Sequence, residues 1–386
     1  MIEIRTVDQL HVDGSRVFYR VDYNVPLEGA TITDATRIEE TLPTLRLLRE
    51  RLATIVIASH LGRPKGSRNE KYSLKPVRAK LAELIGADVQ WADDCIGAQA
   101  EQKAAQLKTG QMLLLENLRF HPGEEDNDSN FARALQRLAP DAYVNDAFGA
   151  SHRAHASIEA LPLLYETDHA AGGLLLAREI EFLQKITNVS DRPFVALLGG
   201  AKIAGKIEPL EALVKQADTL LVGGGMANTF LAATGINMGA SLVDKESIEV
   251  AKRISSAKVI LPIDVVLEDG SVVDVSKGLT EKQKALDIGP RTIAKFSEVL
   301  KKARTIFWNG PMGMFEKKEF AAGTMAMARA VAEANAVTVV GGGESVEAVK
   351  ESGYADRIGH ISTGGGASLE FIAGAKLPGL EVLRAS

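Results

Sequence analysis

Nine short apolar, β-branched runs, each giving way to Gly, Asp, Asn or His and then to a stretch of helical character, govern what this chain can become. The first half places them at Val17–Val21, Thr54–Ser59, Met112–Leu115 and Ala142–Val144. The second half has Phe194–Leu198, Thr219–Val222, Val259–Pro262, Thr305–Trp308 and Val337–Val340. Unbroken apolar runs of this length predict strands covered on both faces, the pattern of parallel sheets built from βαβ units. Amphipathic segments such as Thr41–Arg51 and Phe131–Leu138 supply the crossover helices. Two such series in 386 residues predict an α/β chain of two doubly wound, Rossmann-like parallel-sheet domains, because one ordinary core does not extend that far. Between the series, Ala171–Ile186 carries apolar residues at helical spacing and the turn-rich stretch Thr187–Pro193 ends it. The expected organisation is a first domain over 1–170, a connecting helix or hinge over 171–187 and a second domain over 188–366.

Composition narrows the class. A net charge of −5 argues against nucleic acid as the main partner. Cys95 is the one cysteine and has no partner for an internal disulfide, which fits a reducing compartment. The opening Met1–Arg5 lacks the basic and apolar regions of a signal peptide, and no run approaches the roughly eighteen apolar residues of a membrane span. A cytoplasmic protein is the expectation. The stretch up to Asp168 holds 14 of the 22 arginines but only 6 of the 23 lysines. Arginine presents a planar fork that grips carboxylate or phosphate at two points, whereas lysine is a point charge, so the position of these arginines matters.

Open α/β sheets bind ligands beyond the carboxyl ends of their strands. Beyond the first predicted strand stand Asp22 and Asn24, alternating with Val21 and Val25, and Arg37 follows in a polar stretch that reads as a helix start. Beyond the second come His60 and Arg63, beyond the third Arg119, and beyond the fourth Asn145-Asp146 and then Arg153. One such arginine is a surface ion pair worth under about 1 kcal/mol. Four on one sheet edge repel each other unless an anion joins them, which predicts a ligand with more than one negative group, such as a phosphate plus a carboxylate. Asp22 and Asn24 are placed to hold a hydroxyl. Two nearby patterns mislead. Asp126–Asn130 imitates a calcium loop, but Phe131 stands at the glycine position and Arg137 at the bidentate carboxylate position; it reads as a solvated loop with Ser129 or Asn130 capping the next helix. His152 and His155 lie three apart with no zinc motif around them, and Cys95 is distant in sequence.

In the second half, Gly200 to Lys206 satisfies G-x-x-x-x-G-K except that Ile207 replaces the magnesium-holding Ser or Thr, so a true P-loop is disfavoured. A glycine turn and two lysines four apart, Lys202 and Lys206, survive on one face of a helix start and suit a phosphate. Glycine runs follow at Gly223–Gly225, Gly341–Gly343 and Gly364–Gly366, the last two opening helices whose amide ends attract anions. None has the dinucleotide spacing of a nicotinamide dehydrogenase.

Taken together, RVDYNVPLE from Arg20, SHLGRP, ENLRF, VNDAFG, HRAHAS, GGAK, VGGGMANTF, NGPMG, GGGES and STGGGASLE resemble the phosphoglycerate kinase family across essentially the whole chain. The resemblance implies reversible, Mg²⁺-dependent transfer of the acyl phosphate of 1,3-bisphosphoglycerate to ADP, giving 3-phosphoglycerate and ATP, by a cytoplasmic monomer without membrane or nucleic-acid partners. It implies that Asp22, Asn24, Arg37, His60, Arg63, Arg119 and Arg153 bind the glycerate and its phosphate. Lys202 and Lys206 would contact the nucleotide phosphates and the transferring group, with Arg37 acting beside them. Glu316 would hold the ribose, and the turn Gly341, Gly342, Gly343, Glu344 and Ser345 the nucleotide phosphates and Mg²⁺. It also implies that the segment 367–386 returns to the first domain. The family usually has Asp where this chain has Glu344, and a side chain one methylene longer meets the octahedral demands of Mg²⁺ less directly. The competing readings are another acyl-phosphate kinase, acting on acetate, carbamate or an amino-acid carboxylate, and a non-catalytic anion- or nucleotide-binding module.

Overall fold

The computed structural model describes residues 2–203 and 206–385. Two compact units emerge, one made of the residues up to Glu181 together with those from Lys376 onward, the other of Phe182–Ala375. In the first unit the strands are β1 (Arg16–Arg20), the hairpin pair β2 (Leu27–Glu28) and β3 (Thr31–Ile32), β4 (Thr54–Ala58), β5 (Val89–Trp91), β6 (Met112–Leu114), β7 (Ala142–Asn145) and β8 (Ala170–Gly172). Six of them form one parallel sheet in the order β5-β6-β4-β1-β7-β8. The chain starts mid-sheet at β1, builds outward on one side and then crosses to the other, so the strand order reverses between β1 and β7. That reversal opens a crevice at the carboxyl ends of these two strands.

The sheet holds because its residues have nowhere wet to face. Every residue of β4, β6 and β7 is buried, and Val17, Tyr19, Ile55, Ile57 and Val144 pack with Leu45 and Leu48 from helix Leu42–Glu50. Each such aliphatic side chain contributes about 1.5–3 kcal/mol on burial. Two strands lie outside the sequence pattern. β5 is a three-residue edge strand that is only partly covered, and β8 is Ala-Ala-Gly, which carries almost no strand propensity. β8 also takes the first residues expected for the connecting helix, which instead runs Leu174–Thr187. Gly173 sits between them, where a Cβ would stand 2.2 Å from Asp146 Oδ1. The helix Ser129–Gln136 is capped by Asp128, whose carboxylate accepts from the Phe131 amide at 2.7 Å; this corrects the expectation of Ser129 or Asn130 as the cap.

The second unit contains β9 (Phe194–Leu198), β10 (Thr219–Val222), β11 (Val259–Ile260), β12 (Asp264–Leu267), β13 (Val272–Asp274), β14 (Ala285–Ile288), β15 (Thr305–Asn309), β16 (Val337–Gly341) and β17 (His360–Ile361). Its main sheet is parallel in the order β11-β10-β9-β15-β16-β17, with the reversal between β9 and β15. A small antiparallel sheet, β13-β12-β14, lies outside the repeating pattern altogether.

Helix Gly366–Ile372 stays with this second unit, where the Gln216 amide donates to the Ile372 carbonyl at 3.3 Å. From Lys376 the chain belongs to the first unit. There the Gly379 amide donates to the Ser151 carbonyl at 3.0 Å and the Arg5 amide to the Leu383 carbonyl at 3.1 Å. Among the described residues no helix is long and apolar enough to cross a membrane.

Candidate active site

In the first unit, the crevice between β1 and β7 gathers a cationic set around one buried carboxylate. Asp22, just past β1, is ion-paired with Arg37 from helix Thr36–Glu39 and faces His60 Nε2 at 3.8 Å. Burial alone pushes the Asp22 carboxyl up, but Arg37, His60 and Arg20 outweigh it and hold it well below the usual carboxylate range. Asn24 Oδ1 accepts from the Gly62 amide at 2.9 Å, which ties the first strand's tip to the loop bearing Arg63. Arg119, nearly buried, donates to the Gly62 carbonyl at 2.9 Å and stands 3.4 Å from Glu125. Arg63 and Arg153 are exposed, and Arg153 Nε donates to His152 at 3.2 Å.

Arg20, the last residue of β1, completes the set and was absent from the expected site residues. Its side chain is fully buried; Nε donates to Ser157 Oγ at 2.7 Å, and that hydroxyl donates to Glu124 Oε1 at 2.6 Å. Glu124 itself lies 3.7 Å from the guanidinium, so the buried charge is matched. Arg20 Nη2 also lies 3.3 Å from His60 Nδ1. A guanidinium has no lone pair to offer, so Nδ1 must accept and the neutral imidazole carries its proton on Nε2, toward Asp22. An arginine in the last position of a buried strand was the available signal, since a charge there requires a partner.

The same crowding keeps the histidines neutral. Burial lowers the His60 pKa well below its ordinary value; Asp22 opposes this, and Arg119, Arg20 and Arg37 add to it. For His155, burial and then Arg119, Arg20, Arg153 and His152 lower it to about 3. A base with a depressed folded pKa contributes stability that is present above its unfolded value near 6.5 and is lost as pH falls toward the folded value. His155→Gln, neutral at every pH, is therefore expected to lose less stability than the parent between pH 7.5 and 5, by of order 1 kcal/mol after allowing for solvent screening. Chemical denaturation at the two pH values measures this; equal losses in both proteins would assign the acid sensitivity to other groups.

In the second unit the glycine turns interlock at the reversal between β9 and β15. The Gly199 amide donates to the Asn309 carbonyl and the Gly200 amide to the Pro311 carbonyl, at 3.0 and 2.9 Å. A Cβ on Gly199 would stand 2.0 Å from the Pro311 oxygen, and one on Gly310, at φ +97°, 2.2 Å from the Gly199 oxygen. Only glycine allows two loops this close. They border a cavity of about 570 Å³ whose walls include Gly200, Ala201, Gly225, Leu242, Leu286, Met314, Glu316 and Glu344. That size suits a nucleotide, and the apolar lining suits a base. The antiparallel strand β14 supplies Leu286, a contribution that no periodicity announces.

Lys206 is half-buried and donates to Asn309 Oδ1 at 3.1 Å; burial lowers its pKa while Glu344 opposes the shift. Lys202 is exposed. Gly205, the second glycine of the Walker-like pattern, lies outside the described residues. Gly341 ends β16, Gly342 takes φ +91° as the cap of helix Gly343–Glu351, and Glu344 stands exposed in its first turn. Ser345 is fully buried, its hydroxyl accepting from the Gly310 amide at 2.5 Å, so it braces the loops. Asp287 also lines the cavity but is engaged by the Gly323 and Ile288 amides at 2.7 and 2.8 Å, and burial raises it to about 7. Glu344 is thus an exposed cavity carboxylate with no such engagement among the described residues. It fits Mg²⁺, which takes one or two protein carboxylates and otherwise phosphate oxygens and water.

Comparison with known proteins points to one family over nearly the whole chain. A family model described as phosphoglycerate kinase matches residues 7–375. A phosphoglycerate kinase of Moorella thermoacetica is 49% identical, with 98% of each chain covered, and one of Koribacter versatilis is 48% identical with the same coverage. Among solved structures, phosphoglycerate kinase from Coxiella burnetii superposes with a TM-score of 0.86 at 35% identity, covering 98% of both chains. That from Pyrococcus horikoshii OT3 superposes at 0.88 and 33%, covering 99% of this chain and 98% of the other.

Proposed function

The chain belongs to the phosphoglycerate kinase family, and from that premise we infer how its residues divide the reaction. It is a phosphotransferase that moves the acyl phosphoryl group of 1,3-bisphosphoglycerate to ADP, reversibly, yielding 3-phosphoglycerate and ATP. The observation that carries the assignment of roles is the crowding of Arg37 and Arg20 around Asp22 and of Arg119 beside the two histidines, with His60 and His155 held neutral. Such a set is relieved by a ligand bearing separate phosphate and carboxylate charges. Arg63, Arg119 and Arg153 take the phosphate, and Asp22, kept ionised, and Asn24 hold the hydroxyl. His60, its Nε2 proton fixed by Arg20, donates to the glycerate.

In the second unit the cavity takes the adenine and Glu316 the ribose, while Lys202, Lys206 and the amide end of helix Gly343–Glu351 face the phosphates. Glu344 would hold Mg²⁺, which when bound neutralises nucleotide phosphate charge. No general base is required, because an acyl phosphate leaves as a carboxylate and a carboxylate attacks in the reverse direction. Rate enhancement then comes from in-line positioning and from Arg37 and Lys202 at the equatorial oxygens. With donor and acceptor held by different units, transfer requires bending at the segment Leu174–Thr187, which also limits hydrolysis.

A coupled assay containing 3-phosphoglycerate, Mg-ATP and a downstream dehydrogenase tests the reading. Turnover with acetate, carbamate or an amino acid instead points to another acyl-phosphate kinase, and ADP binding without turnover to a binding module. For the metal contact, Glu344→Ala is expected to raise the Mg²⁺ concentration for half-maximal rate by roughly tenfold or more with the KM for 3-phosphoglycerate unchanged. An unaltered Mg²⁺ titration would place the contact elsewhere.

A further inference from the structure

The fold brings together three chemically different metal-binding side chains that lie outside both substrate sites. Asp94 and Cys95 follow β5, and His121 follows the turn that carries Arg119, twenty-six residues further on. One donor atom from each, a carboxylate oxygen, the thiol sulfur and an imidazole nitrogen, lies within 4.8 Å of the other two. His121 Nε2 and Asp94 Oδ1 are 2.6 Å apart, and the Cys95 amide donates to the same oxygen at 2.7 Å. Cys95 is fully buried, whereas the side chains of Asp94 and His121 are 47% and 29% exposed. His121 is steadied by Phe131, ring centroid to ring centroid 5.5 Å. Beside His121 lies a shallow cavity of about 520 Å³ whose lining also includes Asp126, Asp128 and Asn130.

From this juxtaposition we propose that Asp94, Cys95 and His121 form a binding site for a soft or borderline divalent cation of the Zn²⁺, Co²⁺ or Cd²⁺ class. The donor set decides the class: thiolate and imidazole select such ions, while Mg²⁺ and Ca²⁺ require oxygen cages. Tetrahedral ligation places donor atoms about 3.3–3.6 Å apart. The His121–Asp94 pair, at 2.6 Å, therefore opens by under about 1 Å, and the sulfur, within 4.8 Å of both, closes by at most about 1.5 Å. The charges balance as well. The cation displaces the thiol proton to solvent, the His121 proton moves to Nδ1 to free Nε2, and Asp94 and the thiolate together cancel the two positive charges beside a buried sulfur. A second cluster, Glu166, Asp168 and His169, lies on the exposed surface and has no thiol, and it carries no such assignment.

Because Cys95 is the only cysteine in the chain, a thiolate-to-metal charge-transfer band reports this one atom. Chelator-stripped full-length protein is titrated with Co²⁺ and with Cd²⁺ and followed by absorption. The expected result is a band saturating at one equivalent, abolished by excess Zn²⁺, with close to one proton released per ion. His121→Gln and Asp94→Asn are each expected to weaken Co²⁺ binding at least tenfold, while cooperative unfolding and the rate of phosphoryl transfer without added transition metal stay near the parent's. If His121→Gln disturbs the Phe131 contact and fails to fold, Asp94→Asn carries the test. Absence of a band from the folded protein overturns the proposal. So does a band whose affinity is indifferent to both substitutions, since that would be a thiol binding metal without its neighbours.

Discussion

Replacing Arg37 with Ala is expected to lower kcat by roughly 10²–10³ while nucleotide affinity barely changes, the loss expected for one preorganised donor to the transferring group. Arg37 is about a third exposed on a four-residue helix, so its removal costs the core nothing. It does leave Asp22, a nearly buried carboxylate, without the strongest of the cations that keep it ionised. Two effects are therefore superimposed, and they separate kinetically. Loss of the transition-state contact appears in kcat, whereas the change at Asp22 appears in the KM for 3-phosphoglycerate. Arg37→Lys keeps the charge but not the fork, so it is expected to restore substrate binding more fully than turnover. A kcat near the parent's value in Arg37→Ala would remove Arg37 from the reaction centre and leave it as the partner of Asp22.

The second large effect separates the two lysines. Lys202→Ala is expected to impair turnover by about two orders of magnitude, more than Lys206→Ala does. Lys206 is anchored on Asn309, whose own amide holds the Gly341 carbonyl at 2.9 Å, so it serves the geometry of the loops and the bound nucleotide. Its loss should raise the KM for nucleotide first. Lys202 is exposed and has no such anchor among the described residues, which suits a cation that follows the phosphoryl group between donor and acceptor. Single-turnover rates measured at saturating nucleotide compare the two directly, and the reverse ranking would exchange their roles.

How far the residues announced this arrangement differs from element to element. Runs such as Thr-Ile-Val-Ile-Ala in β4 and Phe-Val-Ala-Leu-Leu in β9 are legible because a strand covered on both faces has no polar option. The Ala-Ala-Gly of β8 and the two residues of β17 are strands only because a neighbour's hydrogen bonds make them so, and nothing in their side chains says it. Arg37, Arg119 and Arg153 could be read as a set because each follows a legible strand end. Arg20 could not, because its significance lies in Glu124, Ser157 and His60, which are 104, 137 and 40 positions away.

By itself, then, the sequence determined two parallel sheets, and it pointed to the strand ends of each as the place for a ligand and to an anionic first ligand. These follow from periodicity and from charges at strand ends, which are local properties. Only the tertiary structure decided that Arg20 orients His60, that Ser345 braces a loop against Gly310, that β14 helps wall the cavity of the second unit, and that Cys95 meets His121 instead of His152 or His155. Each of these depends on which distant segments the strand order makes neighbours, and a strand order that reverses mid-sheet leaves no trace in any local pattern.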